Sequence, residues 1–177
     1  MEYSPDIYKI NTNNSDRYAL GVTGDNPLLV LGLNPSSADD STPNPTVKRI
    51  MGIAARAGND GFILINLYPH RSTYPTGIHR NLNLKKHRQN IHEIDSLLSD
   101  LNLPEVDILL GFGNHIDSRK FMSRCFKDIV NVLNKYNPNW YKTGAITKAG
   151  HPRHPLYVSY SEGLSVFDVE QYMECIL

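Results

Sequence analysis

Three short, uninterrupted apolar runs constrain this chain more than any other feature. They are Leu28–Leu33 (LLVLGL), Phe62–Leu67 (FILINL) and Val106–Phe112 (VDILLGF). Runs without polar alternation suit strands buried on both faces, the environment of a parallel sheet covered by helices. Helical patterns lie between them. Asn44 and Pro45 read as an N-cap and a first helical residue. Val47, Ile50, Ile53, Ala54 and Ala57 follow at helical spacing, and Gly58 is a natural stop. A second stripe, Ile91, Ile94, Leu97, Leu98 and Leu101, runs through His87–Leu101, and a third, Phe121, Met122, Cys125, Ile129, Val132, Leu133 and Tyr136, through Ser118–Tyr136. Such stripes are core faces. The alternation predicts an α/β fold, a three-layer sandwich around a central, mainly parallel sheet of about four strands. Arg17–Val22 (RYALGV) is expected to be an edge strand or hairpin arm. Asp168–Leu177 is expected to be a short closing helix capped by Asp168.

A length of 177 residues suits a single domain, 1–177. Lys plus Arg equals Asp plus Glu at 18 each. A neutral chain does not hold nucleic acid mainly by bulk charge, so any such contact must come from a local patch. With 40% hydrophobic residues the chain is not a disordered one. Cys125 and Cys175 have neither zinc-finger nor redox spacing and are expected to be free thiols in a reducing cytosol. The start, MEYSPDIYKI, does not read as a signal peptide, and no stretch reaches the ~18 apolar residues of a membrane span. The expectation is a cytoplasmic protein without a membrane partner.

In an open parallel sheet, ligands bind beyond the carboxyl ends of the strands, and here the residues after each apolar run are polar. After the first run come Gly32, Asn34, Pro35, Ser36, Ser37 and Asp39. Gly32 permits close backbone approach, Asn34 offers an amide donor and a carbonyl acceptor, and Pro35 fixes the turn. Ser36 and Ser37 add hydroxyls, and backbone N–H groups there can face an anion. The second run leads into Asn66–Pro75 (NLYPHRSTYP). There Tyr68 is a candidate to stack on a planar ligand, and Arg71 suits a carboxylate or phosphate. The third leads into GFGNH, where Gly113 brings the backbone near a ligand or starts a helix.

The most distinctive segment is Lys148–Val158 (KAGHPRHPLYV). Each Pro restricts the residue before it, so His151 and His154 are held on a stiff backbone either side of Arg153. Imidazoles fixed beside an Arg suit a developing negative charge. A zinc site lacks a third ligand, so no metal and no cofactor are expected.

The runs NPSSAD, NPTVKR, NLYPHRSTYP and TKAGHPRHPLY resemble the domain-of-unknown-function family numbered 1643, from about Arg17 to about Tyr157. Where that family usually has Asp before its Pro-Thr pair, this chain has Asn44. The pattern is also similar, more distantly, to the uracil-DNA glycosylase superfamily. In that superfamily the first strand ends in Gly-x-Asn-Pro or Gly-x-Asp-Pro, which positions the attacking water. A late His-Pro motif reaches the base carbonyl oxygen and the DNA. The resemblance gives Asn34 (in GLNP, Gly32–Pro35) the water-positioning role, and His151 or His154 the role of stabilising the departing base. It implies a uracil-DNA-glycosylase-like fold.

The resulting expectation is a nucleobase-recognising protein, a metal-independent N-glycosidase on DNA or nucleotides, with a nucleobase, nucleotide or DNA as partner. The alternative is a non-catalytic nucleotide-binding module in regulation or phage defence. A third reading has Asp39, Asp40 and the two histidines hold a divalent metal for a different hydrolase or transferase. Asp39 and Asp40 would repel a DNA phosphate, and the densest basic stretch is only LKKHR, Leu84–Arg88.

Overall fold

A computed structural model describes residues 1–176 and, at Pro75, the backbone alone. Seven strands form one mixed sheet: β1 Ile7–Ile10, β2 Arg17–Val22, β3 Pro27–Gly32, β4 Gly61–Asn66, β5 Val106–Leu110, β6 Pro138–Thr143 and β7 Leu164–Val166. The spatial order is β1-β2-β4-β3-β5-β6-β7. The four middle strands, β4, β3, β5 and β6, run parallel, with antiparallel strands added at both sides. The expected sheet of about four strands is therefore too small. The excess lies in strands that are short or half-polar, and RYALGV is a hairpin arm with β1 outside it rather than an edge.

Four helices cover the sheet: α1 Pro45–Ala57, α2 Leu84–Leu101, α3 Met122–Leu133 and α4 Val169–Cys175. The continuous apolar runs divide their residues between the two faces, as strand alternation requires. Leu28, Val30, Phe62, Leu64 and Leu109 pack towards Val47, Ile50, Ile53 and Ala54 of α1. Leu29, Leu31, Ile63, Ile65, Ile108 and Leu110 pack towards α2, α3 and α4. This is a three-layer sandwich. The caps are those the sequence predicts at α1 and α4: Asn44 accepts from the Val47 N–H at 2.9 Å, Gly58 closes α1 at φ 89°, and Asp168 accepts from the Gln171 N–H at 2.9 Å. The last residue of the expected closing helix, Leu177, lies outside the described residues. Among the described residues no helix is long and apolar enough to cross a membrane.

The connections put the site where it is. From β3 the chain passes through α1 to β4 on one side, then through α2 to β5 on the other. The carboxyl end of β3 is thus flanked by the ends of β4 and β5, with Gly32 registered against Asn66 and Leu31 against Leu110. A crevice opens where neighbouring crossovers diverge in this way.

Cys125, on α3, is fully buried, and burial pushes its thiol up to about 12, whereas Cys175 is exposed. A thiol-reactive disulfide reagent is expected to modify one cysteine in the native protein and two in denaturant. Rapid reaction of both in the native state would contradict the packing of α3.

Candidate functional site

A cavity of about 220 Å³ opens at the ends of β3, β4 and β5. Gly32, Asn66, Gly111 and Phe112 come from the strand ends, over an apolar base that includes Val30, Ile50 and Leu64. Its walls are built from the turn after β3 (Leu33, Asn34 and Ser36), the start of α1 (Asn44 and Thr46), Ser72, Thr73 and the His154–Pro155 turn. Arg17 and His115 complete the lining. Among the described residues no Asp or Glu lines it.

Glycines make the close packing at this rim possible. A Cβ on Gly32 would sit 2.8 Å from Asn66 Oδ1, so the Asn66 side chain lies over the strand end only because position 32 has none. Gly113 has φ +63° and a Cβ there would come 3.1 Å from His154 Cβ, which lets the His-Pro turn dock against β5.

Asn34 ties the loops together. Its Nδ2 donates to the carbonyls of Pro35 at 3.0 Å, Ser72 at 2.8 Å and, more weakly, His70 at 3.4 Å. Three carbonyl acceptors fix the amide orientation, and Oδ1, which bonds to no described residue, is the group left for a ligand or water. Ser36 Oγ accepts from Asn44 Nδ2 at 2.7 Å, so its own proton is free to donate. Asn44 also caps α1, so both its polar atoms are engaged. Asn66 Nδ2 is buried with no partner.

Of the two histidines of the His-Pro segment, His154 is the one that lines the cavity. Its Nδ1 accepts from the Leu156 N–H at 3.2 Å, so the ring proton resides on Nε2. Burial, with His115 nearby, lowers its pKa to about 4. At neutral pH it is an uncharged N–H donor, able to stabilise negative charge developing on a ligand oxygen without itself losing a proton.

Several sequence candidates are elsewhere. Tyr68 is fully buried, bonds through its hydroxyl to His79 Nδ1 at 2.8 Å, and packs on Phe121, so it presents no face to a ligand. His151 is buried with both ring nitrogens engaged, Nδ1 with the Tyr172 hydroxyl at 2.7 Å and Nε2 with the Asp117 carboxylate at 2.9 Å. It anchors α4, outside the cavity. Arg153 donates to the Ala145 carbonyl at 2.7 Å and is likewise outside. Arg71 staples the turn after β3, donating to the carbonyls of Ser36 at 2.7 Å and Ala38 at 3.2 Å and to the Tyr8 hydroxyl at 2.6 Å. Pro35 lies behind the lining with its carbonyl tied to Ser72, Gly113 backs the His-Pro turn, and Ser37 is exposed. Asp39 turns its carboxylate onto Ser41 and Thr42, and the Ser41 hydroxyl foremost, with the backbone N–H groups of both, holds it below the usual carboxylate range. Among the described residues no three His, Cys, Asp or Glu side chains gather as a metal site, so the metal-binding cluster of Asp39, Asp40 and the two histidines does not form.

The cavity thus unites Gly32, Asn34, Ser36, Asn66 and His154 of the residues singled out from sequence. Arg17, Asn44, Thr46, Ser72, Thr73 and His115 had no such reading. Only Arg17 left a signal, as a charge opening an apolar strand. No curated protein matches the chain. The profile of a family described as a protein of unknown function, DUF1643, matches residues 17–156, a span that holds every residue of the cavity lining. The chain belongs to the DUF1643 family.

Proposed function

We propose that this cavity recognises a nucleobase and that the protein is a metal-independent N-glycosidase with a uracil-DNA-glycosylase-like fold. One observation carries the reading: Asn34 and His154, from motifs far apart in the chain, line the same cavity, one with a free carbonyl acceptor and the other as a neutral N–H donor. These are the two groups the chemistry needs. The C1′–N bond breaks with its electron pair leaving on the base, and the sugar acquires oxocarbenium character. His154 Nε2–H donates to the base oxygen as negative charge grows there. Water held by Asn34 Oδ1 bonds to C1′, and its proton passes to the departing base or to solvent. Such a dissociative step needs water oriented more than deprotonated, which agrees with a lining that has no carboxylate among the described residues.

The same lack of a carboxylate base favours one second reading, a non-catalytic module that holds a nucleotide in this cavity. Both are tested together by incubating the protein with uracil-, mismatch- and damage-containing oligonucleotides and with the common nucleosides and 5′-mononucleotides. Free base released in proportion to protein supports the glycosidase. A thermal shift with a nucleotide and no released base supports the binding module. Neither released base nor a shift with any of them ends both readings.

A further inference from the structure

Arg17 opens β2, is 1% exposed, and lines the cavity. Its Nη1 donates to the Ala38 carbonyl at 2.7 Å, while Nε is buried without a partner and the Nε–Nη2 edge bonds to no described residue. Among the described residues no carboxylate stands within ion-pair distance of it. The strongest charge acting on it is another cation, Arg71; Asp39, the acid that acts on it, is turned onto its own loop. Burial foremost, and then Arg71, lower its pKa to about 10, which leaves it charged at neutral pH. A buried cation without a counter-charge is strongly unfavourable. The Ala38 carbonyl does not require it, because Arg71 donates there as well.

A second feature faces the same space. The 13-residue helix α1 enters the cavity by its N-terminus, with Asn44 and Thr46 in the lining. Pro45 has no N–H, and Asn44 Oδ1 takes that of Val47. The N–H and hydroxyl of Thr46 bond to no described residue. With the free hydroxyl proton of Ser36, they are donors set at the positive end of a helix.

We propose that this part of the cavity is a subsite for a phosphomonoester. Arg17, in the cavity lining, supplies the counter-charge through its unpartnered Nε–Nη2 edge, and Ser36 and the start of α1 supply the remaining donors. Two oxygens suit the guanidinium edge and a third the hydroxyl and helix end, which matches a terminal phosphoryl group better than a carboxylate. The inference rests on the nucleobase reading above and narrows it. The ligand is a free mononucleotide, whose phosphate can end against the buried Arg17, and not a base within a duplex, whose phosphodiester must continue on both sides.

The test compares the wild type with Arg17→Met and Arg17→Lys by thermal unfolding. The probes are inorganic phosphate, the common nucleosides and their 5′-monophosphates, against sodium chloride at equal ionic strength. In the wild type, phosphate or a monophosphate is expected to raise Tm by about 5–10 °C at a hundredfold excess over Kd. Arg17→Met is expected to lose that response and, unliganded, to melt at least about 2 °C above the wild type, since it removes an uncompensated buried charge. Arg17→Lys keeps the charge and is expected to respond with weaker affinity. A 5′-monophosphate that binds through Arg17 better than both its nucleoside and inorganic phosphate supports the subsite and the nucleobase reading together. Inorganic phosphate acting through Arg17 with no gain from any nucleotide supports the subsite and removes the nucleobase. A wild type indifferent to phosphate and to every monophosphate overturns the subsite, even if nucleosides release base. An Arg17→Met variant that keeps the phosphate response overturns it too.

Discussion

Replacing His154 with Asn is expected to abolish most base release, by about 10²–10³-fold, while leaving the fold intact. The substitution separates the two things the ring does. Nδ1 caps the Pro155–Tyr157 turn by accepting from the Leu156 N–H. The carbonyl of Asn can make the same bond, because a short polar side chain before a turn commonly does so. The Asn amide N–H is held closer to the backbone and does not reach as far into the cavity as Nε2–H, so the donor is lost from the place where the ligand oxygen would sit. A variant that melts within a few degrees of the wild type and still releases base at the wild-type rate would remove His154 from the chemistry.

The same residue sets a pH dependence. The folded pKa of about 4 lies below the ordinary value of 6.5, so the unfolded chain takes up this proton first. Its contribution to stability is complete above pH 6.5, falls as pH drops through the window from 6.5 to 4, and is constant below it. Discounted for the ring's partial exposure, the loss is about 2–3 kcal/mol. His79, also lowered, chiefly by burial, acts in the same direction below pH 6.5, so the informative quantity is the difference between wild type and His154→Asn. The carboxylates held low, Asp6, Asp39, Asp60 and Asp95, act only below about pH 4. Urea unfolding at pH 7.5 and pH 4.5 checks this: equal losses in the two proteins would mean the ring is not buried as a neutral group. Base release is likewise expected to show no limb near pH 6.5 from His154.

How far the sequence could be read depends on burial. β3, β4 and β5 are covered on both faces, so almost every residue in them is apolar and the runs are unmistakable. β6 reads PNWYKT and buries only Trp140 and Thr143, and β7 is three residues long. Neither carries a periodic signal strong enough to separate it from loop. The location of the site followed from the same logic, since polar residues directly after buried strands collect at one rim. Which of those residues turn inward did not, because a one-residue change in direction puts a side chain in the cavity or in the core. Tyr68 and His151 have the chemistry of ligand-binding groups, and their polar atoms are spent on His79, Tyr172 and Asp117. Arg17 is the converse. A charge at the start of a strand ordinarily reaches solvent along its apolar stem, and only the sheet order, which puts β2 between β1 and β4, buries it.

Asn34→Asp is expected to be one of the most damaging single-atom exchanges in the protein. If residue 34 served chiefly to activate water, a carboxylate would be the stronger base, and the variant would be at least as stable and faster. The bonds predict otherwise. Nδ2 donates to three carbonyls, those of Pro35, His70 and Ser72, and these join the turn after β3 to the loop after β4. An ionised carboxylate donates to none of them and sets a negative charge against three carbonyl oxygens. Asn34→Ala loses the same donors and adds no charge. At neutral pH the Asp variant is therefore expected to lose about 2–4 kcal/mol and to be less stable than the Ala variant. The sign of its pH dependence follows. The three carbonyls raise the folded pKa of the new carboxyl above its unfolded value, so the folded state binds the extra proton. The penalty then eases as pH falls towards the unfolded value and the acid regains one donor. That is opposite to the trend at His154. Denaturation of wild type, Asn34→Ala and Asn34→Asp at pH 7.5 and pH 5 measures both the order and the direction. An Asp variant as stable as the wild type at pH 7.5 would mean that the amide does not hold the two loops together, and the rim of the cavity would have to be rebuilt around a different residue.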